Sequence, residues 1–125
     1  IESSLSKGVS VVLYAEATTG DGTEVLPFKK PMFQPALNMN IPVLLHVVNY
    51  TKINGVALDD VSKDYLFWYG EMTIVDHFLK VLTLRRIDVE VKFLEILSTQ
   101  EHSEIEEITN MSHKSVSSGF RPILR

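Results

Sequence analysis

Two nearly continuous apolar runs, Val9–Tyr14 (V-S-V-V-L-Y) and Val43–Tyr50 (V-L-L-H-V-V-N-Y), do most to limit what this chain can fold into. Both are short, rich in β-branched residues and bounded by glycine or proline, the pattern of strands buried on both faces. Between them, Thr18-Thr19-Gly20-Asp21-Gly22 carries turn chemistry, because glycine accepts positive φ and aspartate bonds its own backbone. Met32, Phe33, Ala36 and Leu37 then recur at helical spacing over Pro31–Asn40, with Pro31 in the first turn and Pro35 either early or at a kink. Strand, helix and strand in this order predict a βαβ unit, parallel and right-handed.

Downstream, Thr51–Tyr69 reads as irregular, with a turn at Asn54-Gly55 and an aromatic cluster of Tyr65, Phe67, Trp68 and Tyr69. Ile74, Val75, Phe78, Leu79 and Leu82 trace one face of a helix, with Asp76, His77, Lys80 and Thr83 off it. Ile87, Val89, Val91 and Phe93 alternate with Asp88, Glu90 and Lys92, a strand with one wet face. Ser98-x-x-Glu101 resembles a capping box opening a last, mostly polar helix through about Ser115, striped by Ile105, Ile108, Met111 and Val116. The fold class expected is therefore α/β: a mixed, largely parallel sheet with flanking helices. Three strands leave open sheet edges. With the start at Ile1-Glu2-Ser3-Ser4, this is the expectation for part of a longer domain.

The chain has 125 residues, enough for one domain, and a formal net charge of -4. No global basic field gathers nucleic acid, so none is expected as a partner, and any phosphate site has to be local. There are no cysteines, which excludes disulfides, a thiolate nucleophile and thiolate zinc sites. No metal site is expected: Asp21 and Glu24 lack calcium-loop spacing. The Thr18–Thr23 loop also lacks the glycine and lysine spacing of a nucleotide phosphate loop.

The segment Val11–Ala36 resembles the third sequence block of the glycerolipid acyltransferases, in which a strand runs into Phe-Pro-Glu-Gly-Thr, then a small polar loop, then Pro-Phe-Lys and a helix. Here Tyr14-Ala15-Glu16-Ala17-Thr18 stands in the motif's place, and Leu26-Pro27-Phe28-Lys29 matches the continuation. Asn40-Ile41-Pro42-Val43 resembles the fourth block, with Pro42 as its structural proline, and Phe67–Met72 and Arg86–Phe93 look like the family's downstream segments. The likeness runs along nearly the whole chain in consistent order.

The resemblance implies transfer of a fatty acyl group from a thioester, acyl-CoA or acyl carrier protein, to a lysophospholipid or glycerol-phosphate hydroxyl in phospholipid synthesis. It implies no cofactor beyond that acyl donor, and a location on the cytoplasmic side of a membrane, reached through the full-length protein. The family's general base, a His in a His-x-x-x-x-Asp block, would lie upstream of Ile1. Residues 1–125 are then the C-terminal part of a single acyltransferase domain, with no catalytic residue in this chain and no activity in isolation. By resemblance Glu16, Thr18, Thr19, Gly20 and Lys29 belong to the acceptor's phosphate site. Thr18 and the amides from Thr19 to Gly22 are the better phosphate donors. A carboxylate repels phosphate, so Glu16 is assigned to holding backbone N–H groups or an upstream arginine.

Ala15 and Ala17 depart from the motif's Pro and Gly, and a positive φ at Ala17 would cost on the order of 1 kcal/mol. A non-catalytic relative that binds lipid or acyl carrier, or an unrelated α/β ligand-binding domain, therefore stays open. So do plainer roles. Glu16 and Thr18 suit an ordinary strand exit, His46 a hydrogen-bonded core histidine and His77 a helix surface. The aromatic cluster suits core, a membrane face or an acyl-chain wall.

Overall fold

In the computed structural model, which describes residues 1–123, the chain is built on two antiparallel strands, β1 (Val43–Ile53) and β3 (Ile87–Leu97), of eleven residues each. They pair from Val43 opposite Leu97 to Ile53 opposite Ile87, with irregularities between Leu44 and His46 and between Tyr50 and Lys52. A two-residue strand β2 (Val56–Ala57) extends the sheet beyond β1, giving the order β2-β1-β3. Among the described residues four α-helices accompany it: α1 (Glu2–Leu5), α2 (Gln34–Asn38), α3 (Ile74–Leu82) and α4 (Ile105–Gly119). The class is mixed α/β, as the alternating pattern implied, but the sheet is wholly antiparallel, not largely parallel.

The reversal has a local cause. Asn54 (φ 51°) and Gly55 (φ 85°) both take the left-handed conformation, the two-residue hairpin turn that asparagine and glycine favour. The Asn54 carboxamide oxygen accepts the backbone N–H groups of Arg85 (2.9 Å) and Arg86 (3.1 Å), and its own N–H donates to the Arg86 carbonyl at 2.8 Å. This clamp holds the start of β3 at the hairpin tip. From there the strand runs back along β1 as its antiparallel neighbour, and the parallel crossover expected from Val9–Tyr14 to β1 is absent because Val9–Tyr14 joins no sheet among the described residues.

Val9–Tyr14 is likewise not a strand. It is extended but pairs with no ladder among the described residues, and Val12 and Tyr14 are exposed at 72% and 66%. Its apolar run predicts a buried strand, yet β3 already occupies one edge of β1 along its whole length. The helix expected over Pro31–Asn40 is split into a 3-10 turn at Lys30–Met32 and α2, each with its proline in the first turn. Pro35 lacks the N–H that would have bonded the Pro31 carbonyl and joined the two pieces.

The last helix also starts later than its motif. Ser98 Oγ accepts the Glu101 N–H at 3.4 Å, but this closes a turn, and α4 begins at Ile105 and ends at Gly119. Its stripe packs on one sheet face. Leu45, Val47 and Asn49 of β1 are buried there, with Ile108 and Ser112 of α4 fully so. A Cβ on Gly119 would stand 3.1 Å from Val47 Cγ1, so the helix end and the sheet meet closely. Fully buried Asn49 ties this corner, donating to the Gly119 carbonyl (3.2 Å) and accepting the Arg121 N–H (2.9 Å). Phe33, Leu97 and Ala15 complete the core.

The facing of β3 inverts the sequence reading. Val89, Val91 and Phe93 are exposed, whereas Asp88 and Glu90 are partly covered and bonded to Arg86 and Arg121. The apolar side of β3 lies on the sheet face that α4 leaves open.

Replacing Asn54 with alanine removes an acceptor for two N–H groups and puts an unfavoured residue at positive φ. A loss of about 2 kcal/mol is expected, read as a lower midpoint in urea unfolding; an unchanged midpoint would show that the clamp does not hold the strand.

Candidate functional site

A cleft of about 1090 Å³ draws its lining from both faces of the sheet. His46, Val48, Val91 and Phe93 form its floor on the open face, Val9–Tyr14, Phe67, Trp68 and His77 border that floor, and Leu45, Val47, Phe33 and Val116 add lining from the side of the core under α4. Aromatic contacts order this surface. His46 stands between Tyr14 (centroids 6.2 Å apart, edge-on) and Phe93 (6.4 Å), and Tyr50 meets Phe67 edge-on at 5.5 Å. Burial raises the Tyr50 phenol above its ordinary pKa, and the neighbouring Tyr14 adds to it. The surface is mainly apolar, as suits a hydrocarbon ligand.

The polar part of the cleft is the loop after Tyr14, which is closed by its own bonds. The Lys29 N–H donates to the Ala15 carbonyl at 2.7 Å, and Glu16 Oε2 accepts the Leu26 N–H at 2.7 Å. Glu16 thus braces the loop. Asp21 Oδ1 accepts the hydroxyl (2.5 Å) and N–H (3.1 Å) of Thr23, and the Thr23 hydroxyl holds the Asp21 carboxyl below its ordinary range. Gly22 takes φ 78°, and a Cβ there would lie 2.7 Å from the Phe67 ring, so only glycine lets this wall approach the loop. Underneath, the buried Lys63 ammonium lies 2.8 Å from Asp60, 3.7 Å from Asp21 and 5.7 Å from the Tyr69 ring centroid. Its hydrogen bond to Asp60 raises its pKa.

Of the residues expected at the acceptor site, Glu16, Thr18, Thr19 and Gly20 line the cleft together, and Pro42 lies on its border at the entry to β1. The N–H groups of Thr18, Thr19, Gly20, Asp21 and Gly22 have no acceptor among the described residues. Of these residues Thr18, Thr19, Gly20 and Gly22 line the cleft, with Thr18 and Thr19 exposed and Gly22 buried. Lys29 is exposed and does not line the cleft, and Lys30 turns outward to Glu106 at 2.6 Å. The backbone bond of Lys29 to Ala15 fixes where its Cα sits, and its side chain continues into solvent.

Sequence reasoning missed the two histidines of the cleft. His46 makes no hydrogen bond among the described residues and packs between rings, in place of the bonded core histidine expected. His77 faces the cleft from α3 instead of the surface, and its Nδ1 is buried without a partner. The spacing of His77 beside Asp76 and Lys80, off the apolar face of α3, gives no sign that it borders a cleft. His102 does meet the carboxylate five residues on, Glu107, at 3.1 Å, but this pair lies outside the cleft. The aromatic cluster divides: Phe67 packs against Tyr50, Tyr69 donates to Asp64 at 2.6 Å, and Tyr65 and Trp68 remain exposed.

Ala17 sits at φ 53°, which costs an L-residue roughly 1 kcal/mol or more. Ala17→Gly is expected to recover about 1 kcal/mol in urea unfolding; a destabilised variant would show that the strain is absent. A second expectation concerns pH. The lowered Asp21 carboxyl contributes stability that is complete above its ordinary value of 3.8 and lost as pH falls through the folded value. The raised Lys63 ammonium contributes below 10.5 and is lost as pH rises through its folded value. Thr23→Val should therefore lower the melting temperature at neutral pH and bring the acid-side loss to higher pH. An unmoved acid limb would exclude the Thr23 bond as its cause.

Comparison with known proteins finds relatives. The chain is 33% identical over 100 residues to a lyso-ornithine lipid O-acyltransferase of Brucella abortus, covering 74% of this chain and 38% of that protein. A lyso-ornithine lipid O-acyltransferase of Rhizobium meliloti is 30% identical over 115 residues, covering 86% of this chain and 39% of its own. One of Rhodobacter capsulatus is 24% identical over 121 residues, covering 96% and 44%. No family model and no solved structure matches. The chain spans about two fifths of the length of these curated relatives. Along most of its own length, this chain is a homologue of acyltransferases named for a lysolipid acceptor.

Proposed function

We propose that this chain is the acceptor-side, C-terminal portion of an acyltransferase that moves a fatty acyl group from a thioester, acyl-CoA or acyl carrier protein, to a lysolipid hydroxyl. The observation that carries this reading is the loop of unpaired amides and threonine hydroxyls around Thr18–Gly22, set on the rim of a large apolar cleft. A lysolipid has the same division, with a polar head and a hydrocarbon tail. The names of the relatives support acyl transfer to such a molecule. The membrane surface at which it would act, on the cytoplasmic side, belongs to the proposal.

In this reading the chain binds and orients. The Thr18 and Thr19 hydroxyls and the loop amides donate to an oxyanion of the head group, either a phosphate or the carboxylate of an amino-acid head such as ornithine. Glu16, already bonded to Leu26, braces the loop that carries those donors. The hydroxyl nucleophile needs a general base held by an orienting group. Within the cleft no histidine is bonded to a carboxylate among the described residues. The base is therefore assigned to a part of the full-length protein outside these 125 residues.

The test is acyl transfer by the full-length protein, with labelled acyl-CoA or acyl carrier protein as donor and lyso-ornithine lipid or lysophosphatidic acid as acceptor. Product is expected from one acceptor, and Thr18→Val should raise its KM about five- to tenfold with a smaller change in kcat. The 125-residue chain alone should bind but not turn over. Absence of product from every donor and acceptor pair removes the reading. Turnover by the isolated chain would instead place the base within it.

A further inference from the structure

We propose that Lys63 is a positioning residue of the acceptor site, holding the Asp21 carboxylate away from the loop amides so that the head group of a lysolipid can take them. The proposal rests on the reading of Thr18–Gly22 as the head-group site. Lys63 belongs to a short 3-10 turn, Ser62–Tyr65, and is 5% exposed. Among the described residues no other charged side chain is buried. Lysine is seldom enclosed unless it is paired, because the ammonium loses its hydration there. Two carboxylates meet this one. Asp60 Oδ1, a neighbour in sequence, lies 2.8 Å from the ammonium and is half exposed, so this pair alone does not call for burial. Asp21 Oδ2, from the tip of the distant loop, lies 3.7 Å away.

Asp21 stands between two residues that line the cleft, Gly20 and Gly22, yet does not line it itself. Both of its oxygens are directed elsewhere. Oδ1 accepts the Thr23 hydroxyl (2.5 Å) and N–H (3.1 Å), and Oδ2 faces Lys63. A carboxylate is itself an oxyanion, and the amides of residues 18–22 have no acceptor among the described residues. Without the ammonium, Asp21 would compete for those amides and repel an anion that approached them. The two lysines that follow the loop do not take over. Lys29 is exposed and does not line the cleft, and Lys30 bonds Glu106 at 2.6 Å. The backbone of Lys63 fixes the same region from the other side. Its carbonyl accepts the N–H groups of Leu66 and Phe67, each at 2.9 Å, and the Phe67 ring lies so near Gly22 that a Cβ there would stand 2.7 Å from it. One residue thus sets the loop tip through its side chain and the adjoining ring through its backbone. Lys63 itself does not line the cleft, so it acts on a ligand through Asp21.

The experiment is steady-state acyl transfer by the full-length protein, with acyl-CoA or acyl carrier protein as donor and lysophosphatidic acid or lyso-ornithine lipid as acceptor. Lys63→Met should raise the acceptor KM at least about fivefold while kcat changes less than about twofold, the signature of lost ground-state binding. Made in an Asp21→Asn background, the same substitution should change KM less than about twofold, since no carboxylate remains to be held back. A residue needed only for stability would not show that dependence on Asp21. Lys63→Gln, which can still donate to Asp60, is the second variant and should behave as Lys63→Met does. Circular dichroism and a normal melting transition establish that each variant folds. An unchanged KM in whichever variant folds, a loss confined to kcat, or an equal rise in both backgrounds overturns the proposal and leaves the lysolipid reading in place. Failure of both variants to fold also overturns it, making Lys63 a residue of stability alone. Wild-type protein that yields no product from any donor and acceptor pair removes the lysolipid reading, and this role of Lys63 with it.

Discussion

The arrangement depends on a sheet only one of whose faces is covered. Pairing β1 with β3 sets the side chains of both strands alternately above and below a common surface, and α4 fills one side so closely that Gly119 has no room for a methyl group. Nothing comparable covers the other side among the described residues. The apolar residues of β3 and the aromatic pairs around His46 are left as the floor of a cleft. In a structure with helices on both faces, those same residues would be core. Here they are surface with the chemistry of an interior, and such a surface calls for an apolar ligand or an apolar neighbour.

Against that floor, the loop after Tyr14 supplies the opposite chemistry, and it is held by few bonds. Glu16 and the Lys29 N–H close its neck, Asp21 orders its tip, and Gly22 lets the Phe67 ring come close. These contacts engage the Glu16 and Asp21 carboxylates and leave the amides of residues 18–22 without an acceptor among the described residues. A loop rich in acids thereby becomes a set of donors. Electrostatics alone would not have indicated this, since the chain as a whole is acidic.

Periodicity made the lengths and kinds of several elements legible. The helix around Phe78, the strand from Ile87, the turn at Asn54-Gly55 and the stripe of α4 all appear where local spacing placed them, within a few residues. Direction and facing were not legible. Antiparallel pairing follows from a side-chain oxygen of Asn54 reaching two amides thirty residues away in sequence, and no local pattern records such a contact. For α3 and β3, hydrophobicity named the apolar face correctly, but the inference that an apolar face turns inward failed for both, since that inference presumes something to cover it. The likeness of Tyr14–Lys29 to a lipid acyltransferase block led to the loop that lines the cleft. Lys29 shows the limit of residue-by-residue transfer, because a matching position does not fix where a flexible cation points.

Asn49 illustrates how such a small sheet ends a helix. Fully buried in the middle of β1, it engages the last carbonyl of α4 on one side and the Arg121 N–H on the other. Residues 120–123 are thereby tied, through the Arg121 N–H, into the hydrogen bonding of the central strand, although they form no helix or strand. A chain shortened at Gly119 would strand a carboxamide oxygen inside the sheet's covered face. Trimming that looks harmless from the helix boundary would thus be felt at the centre of the molecule.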